Sequence, residues 1–183
     1  PFDNAAVIAG QGTIGLEIVE DLPEIATVLV PLSGGGLASG VAAAIKTLRP
    51  DAKVVGISME RGAAMKASID AGHPLPVEEL PTLADSLGGG IGLDNRLTFR
   101  MCRDLLDAVV LVSEQEIANG IRHAYQHERE IVEGASAVGI AALLAGRVRS
   151  RGPVVALLSG RNIDMALHRR VINSEPNAWE EIP

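Results

Sequence analysis

The sequence is poor in aromatic side chains and in cysteine. Only 2% of its 183 residues are aromatic, and Cys102 is the single cysteine. A lone cysteine cannot form a disulfide within the chain, which excludes a disulfide-stabilised scaffold and fits a reducing, cytoplasmic compartment. The apolar residues are mainly Ala, Val, Ile and Leu. Such small aliphatic side chains are typical of buried parallel strands that are covered by alanine-rich helices.

The chain also lacks a basic excess and a long apolar run. Its formal net charge is -7 and its pI is about 5.1, a balance that repels phosphodiester backbones, so we expect no nucleic-acid partner. No apolar run reaches the roughly 20 residues that cross a bilayer, so we expect no membrane span. Residues 1–4 show neither an initiator methionine nor a signal pattern, which favours a piece of a longer protein whose amino-terminal portion is missing.

Strand and helix signals alternate along the chain. Predicted strands are 27–32, 53–58, 108–112 and 154–158, and predicted helices are 37–48, 62–71, 97–106, 114–129 and 135–146. The strands are continuously apolar, which indicates burial on both faces. We therefore predict one α/β domain, a three-layer parallel sheet with helices on both faces. Residues 74–96, rich in proline and glycine, predict a long functional loop.

A run of three glycines lies between the first predicted strand and the helix that follows it. The run reads Ser33, Gly34, Gly35, Gly36 and Leu37. Without Cβ atoms, backbone N–H groups can close around an anion, and the helix N-terminus adds partial positive charge. No lysine follows, so the pattern does not fit a nucleoside triphosphate. It predicts a site for a single phosphate monoester; the alternative is a tight turn that binds nothing.

Other motifs predict no chemistry of their own. Residues 10–15 match the dinucleotide pattern G-x-G-x-x-G, but no proper strand precedes them and no acidic residue closes the next strand, so we expect no nicotinamide or flavin. His123 and His127 have ligand spacing on a helix, yet a third ligand is missing, and we expect no metal. Cys102 is interpreted as a core residue.

Four motifs in order carry a resemblance to a known family. They are residues 6–17, 30–37, 133–136 and 157–164. Together they resemble the threonine dehydratase and serine racemase family, which uses pyridoxal phosphate on fold type II, the fold of the tryptophan synthase β subunit. Residues 84–92 are similar to hydroxyectoine-utilisation dehydratases. The resemblance implies that residues 1–183 are the carboxy-terminal part of such an enzyme, working as a homo-oligomer (dimer or tetramer) on a small amino-acid-like substrate.

The resemblance also implies roles for particular residues. Residues 33–37 would wrap the cofactor phosphate, Ser86 would lie beside the cofactor, and Glu133 would lie near its ring. Ser159 would face the pyridine nitrogen. A neutral hydroxyl makes the ring a weaker electron sink than a carboxylate partner does, which favours β-elimination over transamination. The structural alternatives are an ordinary helix N-cap for Ser159 and a solvated helix-start carboxylate for Glu133.

Departures from the family pattern bear on the substrate. Gly134 replaces a proline, while Arg161 and Ser86 replace glycines, and the last two add side chains near the implied site. These changes favour a substrate other than threonine or serine, such as a cyclic one.

The family's Schiff-base lysine is absent from the chain. Lys46, Lys53 and Lys66 are the only lysines, and we expect all three to be solvated, whereas a Schiff-base lysine must be desolvated. We expect no catalytic residue in this chain, and a lyase once the protein is complete. The alternatives are a racemase or synthase on the same scaffold, or a non-catalytic fragment that binds a phosphate ester.

Overall fold

The chain folds around a four-stranded parallel sheet. The computed structural model describes residues 2–175. The strands are β1 (Thr27–Pro31), β2 (Lys53–Met59), β3 (Ala108–Val112) and β4 (Val154–Ala156). Their order is β3-β2-β1-β4, and every neighbouring pair is parallel. The carboxyl ends of all four strands therefore meet at one edge of the sheet, which is where ligands bind in parallel α/β folds.

Helices cover both faces of the sheet, as predicted. The helices are α1 (Ala5–Asp21), α2 (Gly36–Leu48), α3 (Ala64–Ala71), α4 (Thr98–Leu105), α5 (Glu114–His123), α6 (Gly134–Leu144) and α7 (Met165–Ile172). Side chains alternate across β1: Leu29 packs into a core with α5 and α6, while Val28 and Val30 pack into a second core with α2. Burial on both faces explains why the strands are continuously apolar.

Two helices were not predicted from the sequence. Helix α1 begins after Asn4, whose side-chain oxygen accepts the N–H groups of Ala6 and Val7. Helix α7 begins after Asp164, which accepts those of Ala166 and Leu167. Both segments begin after a good capping residue, but α1 has weak apolar periodicity and α7 has only eight residues, so neither carries a strong helix signal in the sequence.

Some elements are shorter in the structure than the sequence predicted. The predicted helix 114–129 is regular only to His123; Ala124–Glu128 continues it as a π-helical turn, which stops at Arg129 with a φ of 60°. The first helical residue of α3 is Ala64, not residue 62, and β4 ends at Ala156. Ser113 and Glu116 form a capping box at the start of α5.

The G-x-G-x-x-G pattern lies inside α1, where it serves helix packing. A Cβ on Gly15 would lie 2.7 Å from the Cβ of Ala44 in α2, and one on Gly40 would lie 2.3 Å from the carbonyl oxygen of Ile8. Glycine therefore lets the two helices cross at close range. Among residues 2–175 no strand precedes the pattern, and it lies within a helix rather than at the strand-to-helix turn of a dinucleotide fingerprint.

The long segment between α3 and α4 is attached to the body at both ends. The carboxylate of Asp3 accepts the N–H groups of Arg96, Leu97 and Thr98 at 2.8–2.9 Å. Burial opposes ionisation of Asp3, but these donors and the Arg96 charge hold its pKa below the ordinary value. At the other end, buried Glu114 binds residues 82 and 83.

Within residues 2–175, no helix is long and apolar enough to cross a membrane.

Candidate active site

The eight predicted contact residues all line one cleft of about 270 Å³. They are Ser33, Gly34, Gly35, Gly36, Leu37, Ser86, Glu133 and Ser159. The cleft lies beyond the carboxyl ends of β1 and β4, since the glycine run follows β1 and Ser159 follows β4. Ser86 comes from a short 3₁₀ turn, Asp85–Leu87, and Glu133 from the start of α6. Residues that are up to 126 positions apart in the sequence thus share one concave surface.

The glycine run presents backbone donors to this cleft. Gly35 precedes α2 with a φ of 90°, and its N-cap position makes no side-chain hydrogen bond. The first N–H groups of α2, those of Gly36, Leu37 and Ala38, find no acceptor among residues 2–175. Uncapped N–H groups at a helix N-terminus are the usual donors to a phosphate.

Gly35 is required by what lies beneath the loop. A Cβ there would lie 2.8 Å from Cys102 Sγ and 2.8 Å from Met65 Cε, and its left-handed φ would strain any other residue. Cys102 is buried, 3.5 Å from Ser39 Oγ, and burial raises the pKa of its thiol to about 11. A neutral, enclosed thiol is no nucleophile, so the interpretation of Cys102 as a core residue is confirmed.

Glu133 is buried rather than solvated. The residue is only 9% exposed, and its Oε2 accepts the backbone N–H of Asn162 at 2.8 Å. A Cβ on Gly160 would lie 2.9 Å from Glu133 Oε1, so the segment after β4 runs directly against this carboxylate. The alternative of a free helix-start glutamate is wrong, because the carboxylate holds the segment that carries Ser159.

Ser159 is not a helix cap. Helix α7 begins six residues later, at Met165, and is capped by Asp164, so the structural alternative for Ser159 is wrong. The Ser159 hydroxyl lies 3.2 Å from the hydroxyl of Ser136, which is fully buried in α6 and accepts the N–H of Gly160. Sequence reasoning did not single out Ser136. The sequence signal that could have identified Ser136 is its place as the fourth residue of the motif at 133–136.

The three departures from the family pattern have different surroundings. Ser86 is exposed on the cleft wall, and its N–H and its hydroxyl both donate hydrogen bonds to Asp85 Oδ1. Gly134 is a packing requirement, because a Cβ there would lie 2.0 Å from the carbonyl oxygen of Leu83. Arg161 does not line the cleft; its guanidinium is largely exposed and lies 3.7 Å from Glu130. Of the two added side chains, only Ser86 therefore reaches the cleft.

The lysines lie elsewhere. Lys46 pairs with Asp107 at 2.7 Å, Lys66 pairs with Asp70, and Lys53 is exposed. None of the three lines the cleft. Among residues 2–175, no three His, Cys, Asp or Glu side chains are grouped as a metal site would need. The His123 ring contacts the His127 ring and lies 3.6 Å from the Glu128 carboxylate.

The cleft offers the groups that pyridoxal phosphate needs at its two ends. Open N–H groups and the absence of Cβ atoms at the glycine run suit the phosphate, because a side chain at Gly34 or Gly36 would meet Phe2 or fill the cradle. Ser159, in the segment that follows the neighbouring strand β4, offers a neutral hydroxyl suited to a ring nitrogen. The residues present therefore fit this cofactor.

Comparisons with known proteins agree with this geometry. Residues 1–160 match the family described as pyridoxal-phosphate dependent enzyme. The chain is 67% identical over 182 residues to a Sinorhizobium fredii protein named "Putative threonine dehydratase", covering 99% of this chain and 55% of that protein. It is 45% identical over 174 residues to an L-threonine ammonia-lyase of Thermotoga maritima, covering 94% of this chain and 43% of that protein.

The solved structures show the same fold. The processed form of threonine deaminase isoform 2 from Solanum lycopersicum superposes with a TM-score of 0.85 at 34% identity, covering 96% of this chain and 52% of that chain. Maize serine racemase superposes with a TM-score of 0.80 at 32% identity, covering 91% and 52%. The chain thus spans about half the length of the relatives that it matches. The family match over residues 1–160 and the shared fold show that the chain belongs to the pyridoxal-phosphate dependent enzyme family of fold type II.

Proposed function

We propose that the complete protein is an ammonia-lyase or dehydratase that removes water and ammonia from a hydroxylated amino acid or a related compound. The observation that carries this proposal is the convergence of the glycine run, Glu133 and Ser159 on one cleft. The relatives named threonine dehydratase and L-threonine ammonia-lyase support the reaction class. We further propose that the protein is a homo-oligomer and that it acts in the cytoplasm; the single buried cysteine supports only the reducing compartment.

In this proposal each part of the cleft has a distinct task. When bound, pyridoxal phosphate supplies an electron sink for the bond that breaks at the substrate α-carbon. The N–H groups of Gly36, Leu37 and Ala38 hold the phosphate, and the helix N-terminus offsets its charge. The Ser159 hydroxyl donates to the ring nitrogen without adding a full charge. This weak polarisation favours loss of the β-hydroxyl over transamination.

The substrate itself is a finer proposal. The side chain of Ser86 adds a hydroxyl to the cleft wall beside Asp85. A second cavity, of about 510 Å³, adjoins the cleft: Glu133 and the turn Asp85–Leu87 line both. This second cavity extends to the start of α7. Space and added polar groups support a substrate larger than threonine, and we propose a hydroxylated compound derived from hydroxyectoine.

The test uses the complete protein loaded with pyridoxal phosphate. It is incubated with L-threonine, L-serine and a hydroxyectoine-derived hydroxy amino acid, and ammonia and carbonyl product are measured together. We expect both in equal amounts, with the ectoine-type compound turned over fastest. An inverted stereocentre without ammonia would support the racemase alternative, which the maize serine racemase neighbour makes worth testing. If no compound yields ammonia, the proposed elimination is wrong.

A variant tests the role of Ser159 within this reaction. Ser159→Asp places a carboxylate beside the ring nitrogen and favours its protonation. We expect elimination to slow by roughly tenfold or more, equivalent to about 1.4 kcal/mol in the barrier, while transamination products increase. Ser68→Ala is the matched control, because it removes a buried hydroxyl from α3 outside the cleft. Unchanged partitioning in Ser159→Asp would contradict the assigned role.

A further inference from the structure

Ser136 makes two hydrogen bonds that together restrict the direction of its proton. Its side chain is fully buried. Its oxygen accepts the backbone N–H of Gly160, and the oxygen of Ser159 lies 3.2 Å away. A backbone N–H can only donate, so the Gly160 bond occupies a lone pair of Ser136 and leaves its hydroxyl proton free. Among residues 2–175, Ser159 Oγ is the only acceptor within reach of that proton.

The alternative polarity is costly. If Ser159 donated to Ser136, the buried Ser136 proton would have no acceptor within the described chain. An unsatisfied buried donor costs about 1–3 kcal/mol. Ser159, in contrast, is exposed on the cleft, where its own proton can meet a ligand. The favoured arrangement therefore runs in one direction: from Gly160 N–H to Ser136, from Ser136 to Ser159, and from Ser159 into the cleft.

The backbone around Ser159 is also hydrogen-bonded to the start of α6. The Glu133 carboxylate binds the Asn162 N–H, and the Gly160 carbonyl accepts the Glu133 N–H at 3.3 Å. Helix α6 thus contacts the segment after β4 through Glu133 on one side and Ser136 on the other. Both residues come from the start of one helix, so two neighbouring points of α6 bind the segment that carries Ser159.

We propose that Ser136 is a positioning residue that makes Ser159 an obligate hydrogen-bond donor toward the cofactor ring. This inference rests on the proposed function, in which Ser159 faces the ring nitrogen. Successive hydrogen bonds in one direction polarise each other, so the proton of Ser159 becomes a better donor than that of an isolated serine. Ser136 thereby sets how strongly the ring nitrogen is polarised without touching the cofactor.

The experiment reads the ring nitrogen directly rather than the reaction rate. The complete protein is loaded with pyridoxal phosphate carrying ¹⁵N in the ring, and the ¹⁵N chemical shift of the bound cofactor is measured. We expect Ser159→Ala to move the shift toward that of pyridine without a hydrogen-bond donor. Ser136→Ala should move the shift in the same direction by a smaller amount, because one hydrogen bond strengthens the next by about 10–30%. Ser136→Thr, which keeps the hydroxyl, should restore the wild-type shift.

The outcomes separate the inference from the function on which it rests. If Ser159→Ala leaves the shift unchanged, Ser159 does not face the nitrogen and its proposed role fails. If Ser159→Ala moves the shift but Ser136→Ala does not, the role of Ser159 stands and the positioning role of Ser136 is wrong. Ser68→Ala should leave the shift unchanged, and an equal displacement there would overturn the inference as a general packing effect.

A second variant covers the case in which Ser136→Ala does not fold. Ser136→Cys is close in shape and keeps a weaker donor. We expect it to give a displacement between those of the wild type and Ser159→Ala. A wild-type shift in Ser136→Cys, or a wild-type shift in Ser136→Ala, would contradict the proposal.

Discussion

At the scale of single residues, the cleft depends on positions where a side chain is absent. Gly35 adopts a left-handed conformation directly above Cys102 and Met65, and Gly134 allows the Leu83 carbonyl to lie against α6. Neither position accepts a Cβ without moving its neighbours. The cleft is therefore shaped by backbone that approaches its neighbours closely, and its polar side chains are few: Gln11, Ser33, Ser86, Glu133 and Ser159.

The buried thiol beneath the glycine run predicts a pH dependence of stability. Burial raises the pKa of Cys102 from 9.0 to about 11, so the folded state keeps a proton that the unfolded state loses. The stabilisation is complete below about pH 9 and is lost as the pH rises toward 11. We expect the free energy of unfolding to fall by on the order of 2 kcal/mol across that interval, measured by urea denaturation.

Cys102→Ala is the reference for this measurement. Other groups titrate at alkaline pH in both proteins, so the quantity of interest is the difference between wild type and variant. That difference should narrow from pH 9 to pH 11. Parallel stability curves would show that the Cys102 thiol does not titrate with a raised pKa.

At the scale of elements, the segment 82–87 depends on α5 for its position. Glu114 is buried at the start of α5; its carboxylate accepts the hydroxyl of Thr82 at 2.6 Å and the N–H of Leu83 at 2.7 Å. Thr82 Oγ1 in turn accepts the N–H of Ala84. The same segment then supplies Ser86 to the cleft. A buried carboxylate on one helix thus positions a wall of a site that it does not line.

Replacing this carboxylate should loosen the segment. Glu114→Ala leaves the Leu83 N–H and the Thr82 hydroxyl buried without an acceptor, so we expect a loss of about 1–3 kcal/mol in stability. Amide hydrogen exchange should accelerate for residues 82–87, most strongly at Leu83. Gln115→Ala is the control, since Gln115 lies on the exposed side of the same helix. Unchanged protection of the Leu83 amide would refute the positioning role of Glu114.

At the scale of the whole molecule, the described chain holds a cofactor cleft but no lysine that faces it. Lys46 and Lys66 form ion pairs away from the cleft, and Lys53 is exposed. The relatives are about twice as long as this chain. We therefore propose that the group that binds the cofactor covalently lies outside these 183 residues, and that the 183 residues alone are inactive.

A lysine-to-arginine variant tests this proposal in the complete protein. Replacing Lys46, Lys53 and Lys66 by Arg keeps their charges. Treatment with borohydride in the presence of pyridoxal phosphate should then attach the cofactor to the same extent as in the wild type. Peptide mapping by mass spectrometry should place the label outside residues 1–183. A label on any of these three lysines, or its loss in the variant, would overturn the assignment.

Much of the fold could be predicted because its signals are local. Continuous apolar runs predicted all four strands, and the predicted glycine turn does lie between β1 and α2. The anion site at that turn stays a prediction. Helix α1 was missed because its glycines resemble loop residues, and they are tolerated there only because α2 packs against them. The ends of β4 and α5 were also misjudged, since they depend on contacts with other elements.

The sequence by itself determined the alternation of strands and helices and the composition of the glycine run, since both follow from hydrophobic periodicity and from backbone freedom over a few residues. Only the tertiary structure decided that Glu133 is buried against the segment after β4 and that Ser136 lies 3.2 Å from Ser159. These contacts join residues 23 to 29 positions apart. Their physical cause is the parallel sheet, which brings the ends of β1 and β4 and the start of α6 to one edge.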